Sequence, residues 1–239
     1  MIRFRPLLVP TLWFVPGLLL LVGLGAWQLG RLQEKEALIA SITAGMKAPP
    51  APLEQALAQG PANAEWHHVE VKGHFLHDKE VYFFAQGMKG AVGVQIITPL
   101  VEDDGTTILV NRGFVPDALK DPGSRGAGQV PGEVSLSGVV RVSENPGFFT
   151  PKSDPAARLW FVKNVPEMAA FLGVPVKAPI FVEADATPNP GGWPLGGQTN
   201  VDVPNDHLQY AITWFGLALA LMGVYLVYHH SRGRLTLRP

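Results

Sequence analysis

The chain has 239 residues, enough for one ordinary domain with appendages or for two small domains. Its charged fraction of 16% is below the roughly 25% of soluble proteins, which indicates that part of the chain lies in lipid. A net charge of −1 argues against nucleic-acid binding, and the absence of cysteine excludes disulfides, thiolate metal sites and cysteine nucleophiles.

The first predicted element is a membrane-spanning helix over Leu7–Gly30, a stretch without a charged residue. A helix needs about 20 apolar residues to cross the hydrocarbon core, so this stretch is long enough to span it with some tilt. A cleaved signal peptide is the alternative. Its apolar core is usually shorter, about 7–15 residues, and no A-x-A cleavage site follows this stretch. We therefore expect a retained anchor.

A strand-rich domain is predicted next, after a helical continuation over Arg31–Met46 that ends at Pro49-Pro50. Short helices are expected over Leu53–Gln59 and Pro166–Leu172. Turn-separated strands with few helices predict an antiparallel β-barrel or sandwich. The runs of β-branched and aromatic residues that predict these strands are Trp66–Phe75, Glu80–Ala85, Gly93–Val101, Thr106–Asn111, Glu133–Ser143, Leu159–Lys163 and Pro179–Ala184.

The second predicted span covers residues 207–228, and the part from Leu208 to Tyr228 is uncharged. Arginines precede the first span and follow the second, and segments with such positive flanks usually stay in the cytoplasm. Met1 stands only a few residues before the first span, which leaves no room for an organelle transit peptide. We therefore expect a bacterial cytoplasmic (inner) membrane protein. Its predicted order is a cytoplasmic N-terminus (1–6), a first span (7–30), a periplasmic β-rich domain (31–206), a second span (207–228) and a basic cytoplasmic tail (229–239).

The start of the second span carries a candidate ligand-binding surface. Asn205 or Asp206 suits a helix N-cap, which places His207 in the first turn at the outer membrane surface. Helical spacing puts His207, Tyr210 and Trp214 on one stripe. This stripe suits a planar macrocycle such as haem, with His207 as the axial iron ligand. The alternative is an aromatic belt at the membrane interface, with a histidine that only caps the helix.

Arg112 is a second candidate, at the end of a strong predicted strand before Gly113. A guidanium fork there suits a carboxylate, including a haem propionate. The alternative is an arginine that braces a loop. Paired-carboxylate, metal-protease and nucleophile-elbow patterns are missing from the sequence, so we expect no enzyme.

Four motifs in chain order resemble the surfeit locus protein 1 family, cytochrome c oxidase assembly factors known in yeast as the Shy protein. They are Leu24–Arg31 with Lys35, Val71–Phe75, Val110–Pro116 and Asn205–Phe215. The sequence departs from the family pattern at Phe114, where family members often carry Trp. The order of the motifs and the two-span topology extend the resemblance over essentially the whole chain.

The resemblance implies a non-enzymatic chaperone that binds haem a transiently, works beside haem a synthase and helps haem insertion into subunit I of the oxidase. The proposed haem-ligating histidine of the family matches His207. An assembly scaffold that stabilises subunit I without binding haem is the alternative that this resemblance leaves open.

Overall fold

The computed structural model describes residues 2–86, 92–201 and 203–237. The chain divides into two compact units: residues 1–41 with 202–239, here called the helical unit, and residues 42–201, the sheet unit. The helices are α1 (Leu8–Lys47), α2 (Leu53–Leu57), α3 (Val165–Leu172) and α4 (His207–Ser231). The strands are β1 (Ile2–Phe4), β2 (Ala51–Pro52), β3 (His68–Phe75), β4 (Val81–Gln86), β5 (Val92–Val101), β6 (Thr107–Pro116), β7 (Glu133–Val142), β8 (Leu159–Trp160), β9 (Val176–Ala184) and β10 (Leu235–Leu237).

The two long helices, α1 with 40 residues and α4 with 25, confirm the predicted apolar helices and the helical continuation to Met46. Both are long and apolar enough to cross a membrane, and only 6% and 17% of their most apolar stretches are buried. A core helix of a soluble protein buries such a stretch. The exposed apolar side chains along them include Leu12, Trp13, Leu19, Leu20, Ile212, Leu219, Val224 and Val227.

Within the helical unit, α1 and α4 pack through small residues. Ala211 and Ala218 of α4 are buried, and the ring of Phe215 lies against Gly25 of α1. A Cβ atom at position 25 would stand 2.7 Å from two ring carbons of Phe215, so any larger residue there would force this ring to move.

At the other end of the helix pair, the start of α1 and the end of α4 are joined by polar and aromatic contacts. The hydroxyl groups of Thr11 and Tyr225 lie 2.6 Å apart, and the Phe14 ring stacks on Tyr225 at 3.9 Å. The Leu7 N–H donates to Nε2 of His229, which is fully buried. Strands β1 and β10 pair antiparallel beside this end.

In the sheet unit, five strands form a closed ring in the order β3, β7, β9, β6, β5 and back to β3. β5 closes the ring because it changes partner. Its residues Val92–Ile97 pair with β4, whereas Leu100 and Val101 pair with β3. The barrel-like architecture is therefore confirmed.

The expectation of purely antiparallel pairing is wrong. β6 and β9 run parallel, as do β2 with β3 and β4 with β8. The reason is the long connection from β7 to β9 through β8 and α3, which allows β9 to enter between β6 and β7. Antiparallel hairpins need only a short turn, but parallel neighbours need such a crossover.

Both faces of β6 are buried, which explains its nearly continuous apolar sequence. Ile108 and Val110 point into the barrel core, and Leu109 points to a second core on the other face. The barrel core also takes Leu53 and Ala56 of α2. The second core is formed by Val81, Ile97, Leu109, Trp160, Val165, Met168, Leu172 and Phe181.

Candidate functional site

His207 is the first residue of α4, as predicted, and Asp206 occupies the N-cap position. The Asp206 side chain makes no capping hydrogen bond, although its carbonyl oxygen accepts from the Tyr210 N–H at 3.2 Å. The His207 side chain therefore stands at an open helix end, next to backbone N–H groups that lack intrahelical partners.

The His207 ring is tied to α1. Its Nδ1 lies 2.6 Å from Oε1 of Gln28, a side chain that is only 8% exposed. The ring itself is half-buried. In the part of the chain that the structure describes, Nε2 of His207 has no hydrogen-bond partner. One ring nitrogen is thus held by the protein, and the other is available to a ligand.

The predicted aromatic stripe is divided by the packing of α4. Ala211 and Ala218 face α1, whereas Tyr210 is 54% exposed and Trp214 is half-buried. Tyr210 and Trp214 follow His207 at positions i+3 and i+7, so they keep the side of the helix that carries His207. The described ring–ring contacts include none among these three residues, and the Tyr210 ring has exposed area for a flat apolar partner.

Arg112 lies in the sheet unit, and its strand does not end there as predicted. β6 continues to Pro116, and Asn111 and Gly113 pair with the consecutive residues Ile97 and Ile96 of β5. Arg112 is the extra residue of a β-bulge, a feature that redirects a side chain. Gly113 has φ +114°, and a Cβ there would collide with the Leu195 carbonyl group.

The Arg112 guanidinium holds two loops together. Nη2 donates to the Gly128 carbonyl oxygen at 2.5 Å and to Asn189 Oδ1 at 3.3 Å, and the group lies 4.7 Å from the Phe75 ring centre. Burial lowers the pKa of Arg112 to about 10, although the charge of Glu80 opposes this shift.

These contacts match the loop-bracing interpretation of Arg112, which is 2% exposed. Its Nη1 is buried and has no hydrogen-bond partner among the described residues. Arg112 and Asn189 also line a cleft of about 270 Å³ within the sheet unit. The haem-propionate role therefore stays a prediction.

The other histidines make contacts within the protein. The described residues contain no group of three or more His, Cys, Asp or Glu side chains placed to hold a metal ion. His68 instead bonds the Ala48 carbonyl through Nδ1 at 2.6 Å and Asp185 through Nε2 at 2.8 Å. Burial alone would lower the pKa of His68, but these two acceptors raise it overall.

A family model described as the SURF1 family matches residues 17–219 of the chain. The chain belongs to the SURF1 family. The resemblance seen in the four sequence motifs is thereby confirmed, and the matched range includes Gln28, Arg112 and His207.

Several relatives align with most of this SURF1 family chain. The "Surfeit locus protein 1" of Rattus norvegicus is 41% identical over 213 residues, which are 83% of this chain and 68% of the rat protein. The human protein of the same name is 38% identical over 214 residues, 83% of this chain and 70% of its own. A "SURF1-like protein" of Monosiga brevicollis is 40% identical over 227 residues, 88% and 84% of the two chains.

Gln28 is the residue that sequence reasoning missed in this SURF1 family member, since it entered only as part of the first motif. A signal was present. Gln28 is an amide within an uncharged apolar stretch, between Trp27 and Leu29. Polar side chains within membrane-length helices are uncommon and usually face a partner.

Proposed function

We propose that this protein is an assembly factor for haem–copper cytochrome c oxidase that binds haem a and aids its insertion into subunit I. The observation that carries this proposal is the His207 ring, held through Nδ1 by Gln28 while Nε2 has no partner among the described residues. Imidazole nitrogen is a common axial ligand of haem iron.

The residues near His207 fit a haem cargo. Nε2 supplies the ligating lone pair, and the rings of Tyr210 and Trp214 supply apolar area on the same side of α4. Haem a would arrive from haem a synthase and leave to subunit I, so His207 must hold it reversibly. A single protein ligand at an open helix end is compatible with such release.

We also propose that α1 and α4 span a bacterial cytoplasmic membrane, with both termini in the cytoplasm and the sheet unit in the periplasm. The exposed apolar side chains of both helices support insertion. The arginines before α1 and at the end of α4 support the orientation. In this topology His207 lies at the periplasmic surface of the membrane, within reach of an apolar cofactor in the outer leaflet.

A second candidate is a scaffold that stabilises subunit I without binding haem. Phe148 and Phe149, in the connection between β7 and β8, favour it, since they are 95% and 92% exposed and contact each other edge to face. Adjacent exposed aromatic rings are typical of protein-contact surfaces.

The two candidate functions can be distinguished by expression in a strain that lacks the native protein. Wild type and His207→Ala are co-expressed with haem a synthase, and oxidase activity is compared with the pigment that co-purifies. Haem a on wild type, together with lost pigment and lost oxidase in His207→Ala, supports the chaperone. Colourless wild type that still restores oxidase supports the scaffold. Turnover of a supplied haem precursor would be required for an enzyme.

A further inference from the structure

The contact between Gln28 and His207 has a defined direction. Gln28 presents Oε1, which can only accept a hydrogen bond, to Nδ1 of His207 at 2.6 Å. Nδ1 must therefore carry the proton and donate it. In the neutral ring this leaves the lone pair on Nε2, the nitrogen without a partner among the described residues.

We propose that Gln28 is the positioning residue of the site, which fixes the Nδ1–H tautomer of His207 and so makes Nε2 the ligating atom. This inference rests on the proposed haem-binding function and adds to it a residue that acts through the ligand rather than on the cargo. Ligating histidines commonly donate their second N–H to an acceptor, which orients the ring and raises its basicity.

The surroundings of Gln28 favour this contact. The side chain is 8% exposed, and a buried amide left without a partner would be costly. The close approach of Phe215 to Gly25, one helical turn before Gln28, holds α4 against this part of α1. Helix packing thus keeps Gln28 and His207 close enough for this hydrogen bond.

Three variants isolate the role of the Gln28 oxygen. Gln28→Met keeps the length and removes the acceptor, whereas Gln28→Glu keeps an acceptor oxygen at the same place. Gln33→Met is the matched control, because it makes the same replacement at an exposed position of the same helix.

The first measurement needs no haem. Long-range ¹H–¹⁵N spectra of the full chain in detergent, recorded at alkaline pH to favour neutral rings, report which nitrogen is protonated. The His207 signal is assigned by its loss in His207→Ala. We expect Nδ1–H in wild type, Gln28→Glu and Gln33→Met, and a mixture of tautomers in Gln28→Met. A wild-type ring protonated at Nε2 would overturn the inference.

The second measurement is the affinity for haem a, determined by titration of the apoprotein. Loss of an outer-shell partner typically weakens metal binding by about 10–100-fold, so we expect a decrease of this size in Gln28→Met. Gln28→Glu should restore affinity, and Gln33→Met should match wild type. Equal affinity in Gln28→Met and wild type would contradict the positioning role. Absence of haem binding by wild type with the Nδ1–H tautomer intact would instead contradict the proposed function alone.

Discussion

The ring of Phe215 packs so closely on Gly25 that a methyl group at position 25 would lie 2.7 Å from two ring carbons. This contact joins α1 to α4 within the helical unit, near the pair formed by Gln28 and His207. The geometry of the candidate site therefore depends on the packing at Gly25, three residues before Gln28.

Gly25→Ala should destabilise the helical unit, since overpacking a close contact costs about 1–3 kcal/mol. The measurement is thermal unfolding of the full chain in detergent micelles. Gly23→Ala is the matched control, because a Cβ at that position would meet no side chain of another described element within 4 Å. Equal losses in the two variants would show that Phe215 does not require glycine at position 25.

Arg112→Met should release the two loops that the guanidinium joins. Each hydrogen bond from a charged group to a buried acceptor is worth about 1.5–3 kcal/mol, so we expect a loss of about that size or more in the free energy of unfolding. Limited proteolysis should then cut near Gly128 and Asn189, the two acceptors of Nη2.

The same variant separates the two interpretations of Arg112. If Arg112 only braces the loops, the folded Arg112→Met variant should be cut faster by protease but bind haem with unchanged affinity. Resistant loops combined with weakened haem binding would favour the propionate interpretation instead.

The contact of His68 with Ala48 and Asp185 should make stability depend on pH. Both ring nitrogens face acceptors, and the pKa of His68 is raised above 6.5. The folded state therefore binds the proton more tightly than the unfolded state. Its stabilisation is complete below the ordinary pKa and is lost as the pH rises through the raised one.

The check is the difference in unfolding free energy between wild type and His68→Gln across this pH range. We expect a gap that is largest in acid and shrinks towards alkaline pH. His67→Gln, at an exposed neighbouring position, should show no such change. A gap that widens with rising pH would contradict the raised pKa of His68.

Glu80→Gln should be strongly destabilising. Glu80 and Arg125 form an ion pair whose side chains are 2% and 1% exposed. Removal of one partner of a buried pair leaves a buried charge and costs about 3–5 kcal/mol. Glu54→Gln is the contrast, because Glu54 is largely exposed and its partner Lys177 keeps Glu102. Chemical denaturation of both variants tests the difference.

The long helices and most strands could be predicted because their signals are local. An uncharged run over Leu7–Gly30 and β-branched runs such as Glu133–Ser143 need no tertiary information. The parallel pairing of β6 with β9 could not be predicted, since nothing within either strand determines which distant strand lies beside it. Strands β1, β2 and β10 have only two or three residues, too few for any periodicity to appear.

The sequence offers His207 as a candidate because a histidine after an N-cap signal at the start of an apolar helix is visible in it. Its role as a ligand stays a prediction. Its partner Gln28 is distant along the chain, and only the packing of α1 on α4 brings the two together. The bulge at Arg112 could not be predicted, because a glycine after a strand usually indicates a turn. Here Gly113 has a positive φ and lies within the strand, close to the Leu195 carbonyl group.

The haem a content of the purified protein tests the central claim most directly. Wild type, His207→Ala and His74→Ala are each co-expressed with haem a synthase and measured by their haem absorption per chain. His74 is the control because it is an exposed histidine of the sheet unit. We predict haem a on wild type and His74→Ala and its loss from His207→Ala. Undiminished haem a on His207→Ala would contradict the assignment of His207 as the ligand.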